Sequence, residues 1–199
     1  MSHPFAIAAT CDAIIEVLRR SHVPADFGDE PFDFRVYTAE DFRQPMTQGV
    51  SLLLYHVAHV PTFQQIPEGV GPDARTERRR LPVELHLLLT PWAPTAARQH
   101  EIIGWMMRTL CDVPVLTAAL LNGLRSQVFD ERETVELTPV ELRFDEYARI
   151  WAALAPATFR PSVAYRARTL LLASPPRPAG GVLAEAGVIM ARRETDGPR

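Results

Sequence analysis

Between Val50 and Val60 the chain places Leu52, Leu53, Leu54, Tyr55 and Val57 so that apolar side chains fall on both faces of any strand drawn through them. A strand apolar on both sides belongs in the middle of a sheet that is covered above and below. Further on, Leu81, Val83, Leu85, Leu87 and Leu89 alternate with Pro82, Glu84, His86 and Thr90. That is the period-two pattern of a strand with one face in a core. Pro91 and Pro94 stop this strand, and helical spacing replaces it. Gln99, Ile103, Met106 and Leu110 share one helical side with Ile102 and Met107, until Asp112-Val113-Pro114 breaks the helix and restarts a shorter one. From Arg79 to Leu121 the expected order is therefore strand, loop, long helix, break, short helix.

The rest of the chain fits around that segment. Phe5 to Arg20 is an amphipathic helix with Ile7, Cys11, Ile14, Ile15 and Leu18 on one side, ended by Pro24 and Gly28. Phe32 to Tyr37 alternates ring and charge as a half-exposed strand does, and Glu40 to Gln48 reads as a polar loop. Pro61 to Arg80 is a long loop, a kind of segment that is usually functional or mobile. Asn122-Gly123 caps the short helix. Glu133 to Leu137 alternates as a strand up to Pro139. Tyr147, Ile150, Trp151 and Leu154 mark a helix stopped by Pro156. Ser162 to Ala173 is the last long strand, with Val163, Tyr165, Ala167, Thr169 and Leu171 on one face and Arg166 and Arg168 on the other.

These elements make an α/β (α+β) fold, a mixed β-sheet flanked by helices. The sheet should contain Val50–Val60, Leu81–Thr90 and Ser162–Ala173, with the helix Ala97–Cys111 packed on it and Trp105 and Leu110 mostly buried. Residues 1–174 form one domain. Residues 175–199 are a Pro/Gly linker and a C-terminal extension whose Val182–Met190 stretch is apolar but short.

Composition closes several functional classes. A net charge of −3 on 199 residues argues against a general nucleic-acid or anionic-membrane binder. All 21 basic residues are Arg. Cys11 and Cys111 fall on apolar helical faces and read as buried free thiols of a reducing cytosol. No apolar run approaches the roughly 20 residues of a membrane span, so the expectation is a cytoplasmic chain without direct membrane insertion.

The chemistry-bearing residues do not assemble into a site. His100-Glu101 opens a helical zinc motif, but Gly104 stands where the second histidine is needed. His56 and His59 are three apart in a strand and point to opposite faces; His86 can meet one of them across strands. Gly69-Val70-Gly71 does not join a strand to a helix, and Ser51 has no elbow glycines around it. Asp130, Glu131, Glu133 and Glu136 read as a solvated acidic loop. The run Arg75 to Arg80 is diluted by Asp73 and Glu77, and reads as a solvated loop or a protein-interface patch. No catalytic, cofactor-binding or metal residue is assigned.

One pattern spans the chain from about Phe5 to about Ser174. Its parts are the initial helix, the strands Gly49 to Val57 and Leu81 to Thr90, the helix opening Gln99-His100-Glu101-Ile102-Ile103-Gly104, and Asp112-Val113-Pro114-Val115-Leu116 after its break. Glu141-Leu142, Ile150-Trp151-Ala152-Ala153-Leu154 and Arg160-Pro161-Ser162-Val163-Ala164-Tyr165-Arg166-Ala167-Arg168 complete it. In order and spacing this resembles the tail-terminator or cap family of phage tail-like extracellular contractile injection systems, typified by the antifeeding prophage and related virulence cassettes. The family commonly has Ser or Thr opening the helix before the Trp, where this chain has Arg143-Phe144-Asp145.

The resemblance implies a phage tail-terminator-like fold and a structural cap, assembled as a hexameric ring, that closes the end of the inner tube and contractile sheath. The implied partners are further copies of the chain, the sheath protein and the inner tube protein, with no nucleic acid and no cofactor. Candidate contacts are Arg78, Arg79 and Arg80 for a neighbouring subunit, and Val188, Ile189 and Met190 in the extension, which either bridges subunits or packs on its own domain. Two other readings stand beside the cap: a baseplate or tube-to-sheath adaptor of the same particle, and a small enzyme with a site built from residues such as His56, His86 and Glu84.

Overall fold

The structure, a computed structural model, describes residues 5–27, 31–60, 80–125, 127–154 and 159–173. The elements in chain order are α1 (Ala6–Ser21), α2 (Pro24–Phe27), β1 (Asp33–Tyr37), β2 (Gly49–His59), β3 (Arg80–Trp92), α3 (Ala96–Asp112), β4 (Val115–Thr117), α4 (Ala118–Leu121), β5 (Thr134–Val140), α5 (Phe144–Leu154) and β6 (Val163–Ala173). Six strands form one mixed sheet in the order β1-β2-β3-β6-β5-β4, antiparallel except for the β1–β2 pair.

Alternation decides which residues go where. Val83, Leu85, Leu87 and Leu89 of β3 point into a core shared with Val50 and Leu52 of β2, Ile14 and Leu18 of α1, and Ile102, Met106 and Leu110 of α3. The opposite sheet face carries a smaller core, in which Leu53 and Leu88 meet Tyr37, Phe42, Trp92 and Trp151 of α5. The doubly apolar stretch of β2 is thus covered on both faces, as expected, but only over its first half. Beyond Leu53 it emerges: Val57 is 41 % exposed, and Leu81 on the neighbouring strand is 48 % exposed.

Thr95 caps α3, accepting from the Arg98 amide at 3.3 Å, and an Arg98 Nη1 bond to the Asp26 carbonyl ties α2 to it. The parallel start of the sheet is set by Gly49 at φ +146°. A Cβ there would lie 2.0 Å from the Asp33 carbonyl oxygen, so no side chain fits.

Several expectations are corrected. β3 runs through Pro91 to Trp92 rather than stopping at Pro91. β6 begins opposite Leu89, so Pro91 has a ladder partner only on the β2 side, where it pairs with Val50. A strand edge is where a residue without an amide proton is tolerated. After the break at Pro114 comes a three-residue strand, β4, before the short helix. The polar stretch Glu40–Gln48 contains a 3-10 turn at Glu40–Arg43, and Phe42 and Met46 are buried.

Two irregularities re-aim side chains. Between Leu54↔Leu87 and His56↔His86, Tyr55 is an extra residue on β2. Between Leu85↔Ala167 and Val83↔Leu170, Arg168 and Thr169 oppose Glu84 alone. The second bulge places Leu170 in the core with Tyr165 and Ala167, while the side chains of Thr169 and Leu171, expected on that face, lie outside what is described. On α3, Met107 is 40 % exposed and Trp105 only half-buried, while Leu110 is buried as expected. Cys11 is buried, and burial pushes its thiol up to about 12, with Asp12 adding to the rise. Cys111 is exposed, because it lies on the outer side of α3.

Candidate assembly surface

The helix α5 covers only part of its sheet face. Its inward residues Tyr147, Ile150, Trp151 and Leu154 pack on Leu53, Leu88 and Trp92. The Trp92 indole donates to Ser51 Oγ at 2.8 Å, which gives that buried serine a structural role. The Tyr147 hydroxyl donates to the Arg160 carbonyl, and the Arg160 guanidinium sits 4.8 Å over the Trp92 ring. The outward side ends in two unprotected rings: Phe144 is 76 % and Phe159 is 56 % exposed, with centroids 6.1 Å apart. Large aromatic rings left in water together mark a contact surface more often than chance.

Past α5, the same sheet face turns polar. Glu84 is the hub. Its Oε1 accepts from Arg166 Nη1 at 3.4 Å and its Oε2 from Arg168 Nε at 2.9 Å, and His86 Nε2 lies 3.2 Å from Oε1. Burial holds the His86 imidazole below its ordinary proton affinity, and nearby His56, Arg166 and Arg168 push the same way against the pull of Glu84. His56 lies beside His86, ring centroids 5.1 Å apart. The structure therefore does bring His56, His86 and Glu84 together. Both oxygens of the carboxylate are already engaged by cations and donors, the arrangement of a cross-strand ion network. Among the described residues no group of three His, Cys, Asp or Glu is placed to hold a metal ion.

At the β1 edge, Arg19 Nη2 donates to the Phe34 carbonyl at 3.0 Å. The acidic turn expected after Phe129 is locally satisfied: the Asp130 amide donates to Glu133 Oε2 at 2.8 Å.

The candidate contacts Arg78, Arg79, Val188, Ile189 and Met190 lie outside the described residues. Arg80 opens β3, its backbone opposite Ala173, and its side chain is also outside what is described. The exposed pair Phe144 and Phe159 was missed in the sequence. Its only signal is an aromatic at the first position of a helix, where the resemblance leads one to expect Ser or Thr.

The model of the Pvc16 N-terminal domain matches residues 9–185. The chain belongs to the Pvc16 N-terminal domain family. No curated protein matches it. It is similar in fold to the sheath/tube terminator, in its extended state, of the extracellular contractile injection system PVC. That likeness has a TM-score of 0.59 at 15% identity, over 89% of this chain and 61% of the other. It is also similar to the tube-terminating cap of the anti-feeding prophage, with a TM-score of 0.57 at 14% identity over 85% of this chain and 56% of the other. The chain thus spans about three fifths of the length of these relatives, and the likeness is one of fold. Among the described residues no helix is long and apolar enough to cross a membrane.

Proposed function

We propose that this protein is a structural cap subunit that ends the inner tube and contractile sheath of a phage tail-like injection particle. The observation that carries the reading is the fold match, over 89% of the chain, to a sheath/tube terminator. Such a role asks for surfaces rather than a reaction centre. A head-to-tail contact that closes on itself makes the ring, hexameric by family resemblance, and one ring face rests on the last sheath and tube layers. Phe144 and Phe159 are the described residues best suited to such a contact. The reading is non-catalytic, in keeping with a Glu84 carboxylate engaged on both oxygens.

Arg78, Arg79 and Arg80 remain proposed subunit contacts, since guanidinium groups pair bidentately with carboxylates of a neighbour. Residues 1–174 are the proposed domain and 175–199 its extension. Val188, Ile189 and Met190 within it either add to a neighbour's sheet edge or pack on their own domain. Truncation after Ser174 separates the two. A bridging tail leaves a folded chain that has lost its ring, whereas a self-packed tail leaves a destabilised monomer.

The test of function is deletion of the chain from a particle-producing strain, followed by negative-stain microscopy. Particles of irregular length, or none, are expected; uniform particles of normal length refute the cap. Mass photometry of the purified chain checks the ring. In the triple variant Arg78→Glu, Arg79→Glu, Arg80→Glu the ring should weaken as salt is varied, with the monomer still folded.

A further inference from the structure

Four side chains form a row across four strands on the open half of the sheet. His56 of β2 stands opposite His86 of β3, His86 opposite Arg166 of β6, and Arg166 opposite Thr138 of β5. The next row outward is Ala58, Glu84, Arg168 and Glu136, with Ala58 opposite Glu84, Glu84 bonded to Arg168, and Arg168 opposite Glu136. The two bulges, at Tyr55 and at Arg168–Thr169, flank these rows and turn the polar side chains onto one face.

The charges are balanced only while the imidazoles are neutral. Arg166 and Arg168 then stand against Glu84 and, across the strand, Glu136. From α5 the acid within electrostatic reach is Glu146, which acts on the Tyr55 hydroxyl, the remaining titratable group on β2 at this level. A proton on His86 sets a third cation beside the one Glu84 carboxylate. A proton on His56 as well sets two imidazolium rings 5.1 Å apart beside two guanidinium groups. His86 and Arg166 are half-buried while His56 and Arg168 are exposed, so like charges at that spacing repel through partly screened surroundings.

Beyond these rows, among the described residues, lies the end of the three-strand ribbon. Val60 is tied back by its amide to the Pro82 carbonyl at 3.1 Å, and β6 ends opposite Arg80. The residues of α5 that pack on the sheet lie with Leu53, Tyr55 and Leu88. Among the described residues, the polar face of the ribbon end is held by the Glu84 network.

We propose that the His56–His86 pair is an acid-sensitive latch on the projecting end of the β2–β3–β6 ribbon. Neutral, it leaves Glu84 free to clamp Arg166 and Arg168 and so holds the three strand ends together. Protonated, it parts them, while the helix-covered half stays folded. The direction follows from linkage. The folded state binds a proton at His86 less readily than the unfolded chain does. The contribution to stability is therefore complete above the ordinary imidazole range, and it is lost as pH falls from about 6.5 toward the lower folded-state value.

Hydrogen exchange of the full chain, corrected for intrinsic rates, tests the latch at about pH 7 and about pH 5, either side of the imidazole range. Expected at the lower pH is at least a roughly tenfold faster exchange for amides of Val57–His59 and Val83–Leu85, with Leu52 and Leu88 unchanged. In the double variant His56→Gln, His86→Gln, which keeps polar side chains of similar reach but cannot charge, the acceleration should vanish. Equal protection of the wild type at both pH values overturns the proposal, and so does an unchanged acceleration in the double variant. Should that variant fail to fold, imidazole NMR titration of the wild type decides. A His86 imidazole that titrates below the ordinary range supports the latch, and one that titrates within it ends the proposal.

Discussion

The β2–β3–β6 ribbon has two halves built from the same alternating pattern and held by different forces. In the half from Gly49 to Leu53 on β2, Leu52, Leu87 and Leu89 face α1 and α3, while Leu53 and Leu88 face Trp151 of α5. Apolar area removed from water on both faces holds this half. In the outer half Val83 and Leu85 still face the larger core, but the other face is Glu84, His86, Arg166 and Arg168. Charge-assisted bonds near solvent replace burial there. Alternation thus tells which residues share a face, and it takes a covering element to decide whether that face is a core.

Changes at single residues separate the two halves. The largest effect is expected from Leu87→Ala, which opens a cavity between sheet and helices: a loss of about 2–5 kcal/mol, lowering Tm by about 4–20 °C, read by calorimetry. Ser51→Ala strands the buried Trp92 indole N–H and should cost about 1–3 kcal/mol, measured by urea unfolding. Glu84→Gln keeps the shape but removes the charge. Because Arg166 and Arg168 are partly solvated, it should cost only about 0.5–1.5 kcal/mol, with added salt shrinking the difference. If Glu84→Gln proves as costly as Leu87→Ala, the outer half is held as firmly as the covered one and the contrast fails. The smallest effect on the monomer belongs to Phe144→Ser with Phe159→Ser, within about 0.5 kcal/mol of wild type. The same pair should weaken assembly on the mass-photometry scale, and an unaltered ring removes these rings from the interface.

Most of the fold was legible because it rests on local pattern. Leu81 to Leu89 gave strand β3 through strict alternation, and Ile102, Met106 and Leu110 gave the buried side of α3 through helical spacing. What escaped depends on partners distant in the chain. Tyr55 is a bulge only because β3 lies beside β2 in a particular register, and Arg168–Thr169 only because β6 lies beside β3. The Glu84 network joins residues 82 and 84 positions apart, and nothing near Glu84 announces Arg166 or Arg168. β4 is three residues long, too short for any period to register. Of the candidate site, His56, His86 and Glu84 were named together and do meet, in a cross-strand ion network with Arg166 and Arg168 that the sequence did not announce.

The placement of β6 between β3 and β5 also sets a schedule. β3 receives its second neighbour only when Val163 and the residues after it have been made, 74 positions beyond Leu89, its partner in the sheet. At bacterial and eukaryotic elongation speeds of about 5–20 residues per second, that interval is roughly 4–15 s. Throughout it, a nascent chain carries the long, leucine-rich β3 with one flank unpaired, a template for pairing with other nascent chains. Closure of the central ladder is thus a late, non-local step, and translation rate and chaperone access during it bear on how much chain reaches the closed sheet.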